Sequence, residues 1–134
     1  MILLDTQVVV WLATANDRLG PQAKIAIERD EMRCISAMVL WELAMLIDKG
    51  KLVLNQPLTV LAGRMVDEMR ISEVALTGAV AMDAGSLPGA IHGDPCDRIM
   101  IATARALDCP LITSDRKILA YAAAGHLTAV DARR

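Results

Sequence analysis

Five carboxylates stand in company that acids usually avoid. Asp5 follows the apolar triplet "ILL", Asp115 follows "LITS", and Glu42 interrupts "MVLWELAML". Asp94 and Asp97 lie three residues apart in "HGDPCDRIMIATA", just ahead of an apolar run. Each has a plain structural explanation when taken alone. Asp5 and Asp115 suit helix N-caps, and Glu42 could face solvent and pair with a basic residue. Asp94 before Pro95 is an N-cap with proline at the first helical position. Asp97 then falls on the third helical position, but its side chain is short for the reciprocal bond that Glu or Gln makes there.

Taken together the acids point elsewhere. Two carboxylates about 4 Å apart repel by roughly 4 kcal/mol at an effective dielectric near 20. A cluster of Asp5, Glu42, Asp97 and Asp115 therefore calls for a cation. Oxygen ligands suit Mg²⁺ or Mn²⁺. Only His92 and His126 supply imidazole, far apart in sequence, so zinc is not expected and both are read as loop or surface residues. An ion held by acids neutralises a phosphodiester and activates a water to attack phosphorus, with no side-chain nucleophile. No Ser–His or Cys–His arrangement competes with that chemistry.

These acids need rigid elements behind them. "ILL", "RCIS", "ISEVAL", "PLITS" and "LTAV" read as short strands. Helices are expected over "TQVVVWLATAN", with Thr6 as cap and Asn16 as stop, and over "GPQAKIAIERDE". Ser36 caps "AMVLWELAMLIDKGK", whose stop is Gly50, and Pro57 opens "LTVLAGRMVDEM". "TGAVAMDAG", "PCDRIMIATARALD" and "DRKILAYAAAG" complete the set, with "SLPGAIHG" as a loop. This alternation predicts one α/β domain over residues 1–134, with a mainly parallel sheet flanked by helices. In such sheets ligands bind beyond the carboxyl ends of the strands, where Asp5 and Asp115 fall.

Composition narrows the function further. The chain has 134 residues, 54 % of them apolar, yet it contains no Phe, two Trp and one Tyr. Single-strand binding by base stacking is therefore disfavoured. A net charge of −2 gives no global attraction for nucleic acid, so a phosphate must be met by local arginines or a bound cation. Cys34, Cys96 and Cys109 lack paired spacing and read as free thiols. With no signal-peptide pattern and no apolar run long enough to span a bilayer, a cytoplasmic protein is expected.

The pieces "MILLDT", "SAMVLWELA", "HGDPCDRIMIATA" and "LITSDRKI" resemble, in order and spacing, the PIN-domain proteins. The chain is most similar in pattern to the VapC-type toxins of bacterial toxin–antitoxin pairs, from Met1 to Val130. That resemblance implies a three-layer PIN-like fold and a metal-dependent endoribonuclease. It sets the acids of the metal site on Asp5, Glu42, Asp97 and Asp115, with Asp94 structural. It offers Thr6, Ser36, Thr113 and Ser114 for metal waters or substrate, and Arg98, Arg116 and Lys117 for phosphate. It also implies a small antitoxin partner and a homodimer. Gln7, where Asn or His is usual, and Cys96, where Phe or Ala is common, depart from the pattern without removing an acid.

Two other readings are open. A Mg²⁺-dependent phosphatase similar to haloacid dehalogenases needs an Asp two residues after its aspartyl nucleophile, where this chain has Gln7. A PIN-like interaction module without catalysis would tolerate Asp97→Asn, whereas a nuclease would not.

Overall fold

The computed structural model describes residues 1–134. Five short strands, β1 (Ile2–Leu4), β2 (Arg33–Ser36), β3 (Ile71–Val74), β4 (Leu111–Thr113) and β5 (Ala129–Asp131), form one sheet in the order β3-β2-β1-β4-β5. Every pairing is parallel, with Leu3 opposite Cys34 on one side and Leu111 on the other. Parallel strands buried on both faces read as continuous apolar runs, as "ILL" and "LIT" do.

Seven helices connect the strands: α1 (Thr6–Ala13), α2 (Pro21–Arg29), α3 (Ala37–Asp48), α4 (Leu58–Asp67), α5 (Gly78–Gly85), α6 (Pro95–Leu107) and α7 (Arg116–Ala123). The expected α/β architecture is thus present, with small corrections. Helix α1 is capped by Asp5, not Thr6, and stops at Ala13, because Ala15 turns into the left-handed region at φ 49°. Strand β5 begins two residues later than "LTAV" suggests, since Leu111 aligns with Ala129.

Leu3, Leu4, Val8, Val9, Leu43, Met100, Ile101, Leu111 and Ile112 are fully buried around the central strands. "VVVWLA" therefore faces the core. Helix α3 differs, because Val39 and Leu43 are buried while Trp41 is 54 % exposed. The last residues close the fold beside α2: Gly20 N–H donates to the Ala132 carbonyl and Ala23 N–H to the Arg134 carbonyl.

The strand order locates the binding crevice. From β1 the chain winds outward to β2 and β3, and from β4 it winds the other way to β5. The gap between the carboxyl ends of β1 and β4 is the topological switch point, where open α/β sheets bind ligands.

Candidate metal centre

Asp5 leaves β1 directly at that switch point. It caps α1, accepting the Thr6 N–H on Oδ1 at 2.7 Å, and is only 6 % exposed. Its other oxygen accepts the Thr113 hydroxyl at 2.5 Å. Burial pushes the Asp5 carboxyl up to about 6, against those two hydrogen bonds, with Glu42 and Asp115 adding repulsion.

Asp115 follows β4 and caps α7, using Oδ1 for the N–H groups of Lys117 (2.8 Å) and Ile118 (3.1 Å). Its own N–H donates to Thr113 Oγ1 at 3.1 Å. Thr113 thus ties both acids to the β1–β4 seam.

Asp94 caps α6 by accepting the Asp97 N–H at 3.1 Å, as its place before Pro95 predicts. Asp97, freed from capping, turns toward the crevice. Burial raises its carboxyl to about 8, reinforced by the charges of Asp94, Asp5, Asp115 and Glu42. Glu42 comes from the second turn of α3, is half-buried and forms no ion pair; the expected alternative of a basic partner is not realised. The Cys96 thiol lies against Glu42, and burial together with that carboxylate pushes it up to about 12.

Asp5 and Asp97 thus both feel the charges of Glu42 and Asp115, and three of the four acids stand at or just behind a helix N-terminus. Carboxylate oxygens of Asp97 and Asp115 and a His92 ring nitrogen all lie within 4.8 Å of one another. Two charges at that spacing repel by roughly 3.5 kcal/mol at an effective dielectric near 20. Burial plus mutual repulsion is the setting that a hard divalent cation relieves. The donor set fits Mg²⁺ or Mn²⁺. Thr6, buried beside Asp5, has a hydroxyl without a partner, which suits a water bound to such an ion.

An open cleft of about 600 Å³ leads to the acids, lined by His92, Asp94, Asp97, Ser114, Asp115, Arg116, Lys117 and Arg133. Arg116 and Lys117 are exposed at the start of α7 and line the cleft. Arg133, absent from the sequence-based candidates, comes from the tail after β5 and pairs with Asp131 at 3.2 Å.

Four residues offered for substrate or its waters have other surroundings. Thr113 is fully buried with its hydroxyl engaged by Asp5 and Asp115, so it positions the acids. Thr6 is 3 % exposed, out of reach of a polymer. Arg98 is turned away from phosphate: Nε donates to the Ala84 carbonyl at 2.7 Å, and Nη1 to the carbonyls of His92 (3.3 Å) and Ile91 (3.5 Å). Ser36 likewise serves as the cap of α3. His92, read as a loop or surface residue, does lie in a loop, and its ring lines the cleft; nothing local in "AIHGDP" signals that orientation.

An α/β fold with acids gathered at the switch point defines a class of protein. The PIN-domain family model matches residues 2–124, and the chain belongs to the PIN-domain family. It is 32 % identical over 120 residues to ribonuclease VapC22 of Mycobacterium tuberculosis, covering 90 % of this chain and 91 % of that one. Its fold is shared by a chain in the crystal structure of VapBC2 from Rickettsia felis bound to a promoter DNA fragment. There the TM-score is 0.69 at 18 % identity, covering 97 % of this chain and 98 % of that one. A toxin–antitoxin complex from Klebsiella pneumoniae matches with TM-score 0.65 at 19 % identity, covering 98 % and 97 % respectively.

Proposed function

We propose that residues 1–134 act as one PIN-like unit, a divalent-metal-dependent endoribonuclease of VapC type and the toxin of a toxin–antitoxin pair. The observation that carries this reading is the approach of Asp97 and Asp115 oxygens within 4.8 Å at the switch point, with Asp97 also raised by the charges of Asp5 and Glu42, in a chain 32 % identical to a ribonuclease. Asp5, Glu42, Asp97 and Asp115 would hold Mg²⁺ or Mn²⁺. When bound, that ion supplies charge neutralisation and a water of lowered pKa for attack on phosphorus.

The rest is the chain's own work. Thr113 holds Asp5 by a hydrogen bond, and the N–H groups of α7 hold Asp115, so the protein's own donors position two of the acids. Arg116, Lys117 and Arg133, all in the cleft lining, would meet the RNA backbone and offset the local negative charge. The cleft lining holds no apolar residue, which suits a sugar-phosphate chain more than a base.

An antitoxin would occlude the acids and, by its own cations, relieve the same repulsion. Trp41, exposed on the helix that carries Glu42, offers apolar surface for that partner or for a second copy in a homodimer. No helix is long and apolar enough to cross a membrane.

The test is cleavage of a mixed pool of structured RNAs by the purified protein with Mn²⁺, beside Asp97→Asn and an EDTA control. Cleavage abolished in both controls supports the reading. If the wild type leaves every RNA intact at saturating Mn²⁺, the non-catalytic module takes its place.

A further inference from the structure

The acids and exposed cations leave one polar group in the cleft without a part. The His92 ring is only 20 % exposed, and both of its nitrogens face defined neighbours. Nδ1 accepts the Asp94 N–H at 3.2 Å. A ring nitrogen that accepts a hydrogen bond carries no proton, so the proton of the neutral ring sits on Nε2. Nε2 stands 3.2 Å from Asp97 Oδ2 and is shut off from solvent, yet its N–H makes no aligned hydrogen bond. It is an oriented donor with no acceptor in line.

The backbone under it is held as firmly. Arg98 Nη1 grips the His92 carbonyl, and Nε anchors the same guanidinium to the end of α5. By contrast Arg116 and Lys117 are exposed. The cleft thus has a single half-buried, preset N–H donor beside Asp97 and Asp115.

We propose that His92 is a catalytic residue that donates Nε2–H to an oxygen of the scissile phosphate. This role rests on the nuclease reading of the site. A phosphate held at the acids would lie beside the His92 ring nitrogen, which is within 4.8 Å of carboxylate oxygens of Asp97 and Asp115. Nε2 is shut off from solvent with Asp97 Oδ2 3.2 Å away, so that carboxylate must turn from the ring for the phosphate to reach it; the developing charge then strengthens the bond in the transition state. The same geometry argues against direct ligation of a metal by His92. An Nε2 lone pair would require the proton on Nδ1, where it would confront the Asp94 N–H.

The experiment compares His92→Ala and His92→Gln with wild type in RNA cleavage and in Mn²⁺ binding followed by electron paramagnetic resonance. Thermal unfolding verifies that each variant folds. Loss of one oriented donor of this kind lowers kcat by about 10²–10³-fold. His92→Ala is expected to show that loss, with KM moving less than kcat and Mn²⁺ affinity within about twofold of wild type. His92→Gln, which retains an N–H, recovers part of kcat. In the wild type, ¹⁵N shifts of the imidazole should report protonated Nε2 both without metal and with Mg²⁺. A tenfold loss of Mn²⁺ affinity in His92→Ala, or nitrogen hyperfine coupling to Mn²⁺ from the ring, makes His92 a ligand and overturns the proposal. Wild-type cleavage rates in both folded variants also overturn it, and leave the nuclease reading intact. A wild type that cleaves nothing removes that reading, and the donor role with it.

Discussion

The Thr113 hydroxyl donates to Asp5 Oδ2 at 2.5 Å while accepting the Asp115 N–H at 3.1 Å, so one buried oxygen aligns the acids of two adjacent strands. Asp5 is nearly enclosed, and a carboxylate in that state depends on its donors. Thr113→Val removes the donor without changing the shape of the side chain. Stability is expected to fall by about 1–3 kcal/mol, and Mn²⁺ affinity with it, while Thr113→Ser restores most of both. Urea unfolding and Mn²⁺ titration of the two variants check this.

Proton linkage gives the site a signature that needs no substrate. Asp5 and Asp97 ionise near 3.8 when unfolded but at about 6 and about 8 in the fold. Between these limits the folded state binds more protons than the unfolded state. These two groups therefore stabilise the fold fully below pH 3.8, and that contribution is lost as pH rises, through 6 for Asp5 and 8 for Asp97. The slope is at most about 1.4 kcal/mol per pH unit for each group. Melting in EDTA from about pH 5 to 8.5 should show the decline, and Mn²⁺ should reverse it increasingly toward high pH. A flat profile in EDTA would contradict the burial and repulsion assigned to Asp97.

Asp97→Asn separates stability from activity. The amide keeps the side chain's size and lifts the charge that burial and four acids oppose. At about pH 8 without metal the variant should be more stable than wild type, on the order of 2–4 kcal/mol. RNA cleavage should fall below detection and Mn²⁺ binding should weaken at least tenfold. Calorimetry and the cleavage assay must move in opposite directions; a destabilised variant would mean that Asp97 has a structural partner instead.

Gly20 tests the closure of the chain. A Cβ there would lie 2.2 Å from the Arg134 backbone carbon, because the tail crosses the start of α2 at that point. Backbone cannot yield as a side-chain tip can. Gly20→Ala should cost about 1–3 kcal/mol and loosen Arg133 at the cleft. Thermal unfolding measures the first, and proteolysis of the C-terminal residues the second.

The strands and the acids were legible because each signal is local. Apolar triplets end at Asp5 and close to Asp115, and Asp94-Pro95 announces a helix whose third position is Asp97. Glu42 stood out because "MVLWELAML" offers it no polar neighbour. What stayed hidden depends on distant pairing. The hydrogen bond between Thr113 and Asp5 spans 108 residues, and neither residue's neighbours reveal it. The reversal of winding between β1 and β4 sets the switch point, yet short parallel strands carry no mark of their order. His92 turns inward because Asp94 N–H and Arg98 hold its ring and carbonyl, contacts that the spacing permits but does not require.

Arg98 shows how a basic residue beside an acid site can be misread. Its guanidinium joins α6 to the Ala84 carbonyl and to the loop that carries His92. Arg98→Ala should therefore lower stability by about 1.5–3 kcal/mol, as expected for hydrogen bonds to a charged group. It should also expose residues 86–93 to proteolysis. Arg98→Lys should rescue little, because an ammonium lacks the planar fork that reaches separate carbonyls. A phosphate contact behaves differently. Losing one reduces the salt dependence of RNA binding by about one unit of slope, uniformly across sequences. Binding of an uncleaved RNA in the Asp97→Asn background, measured over a salt series, decides between them: Arg98→Ala should leave the slope unchanged, and Lys117→Ala should reduce it.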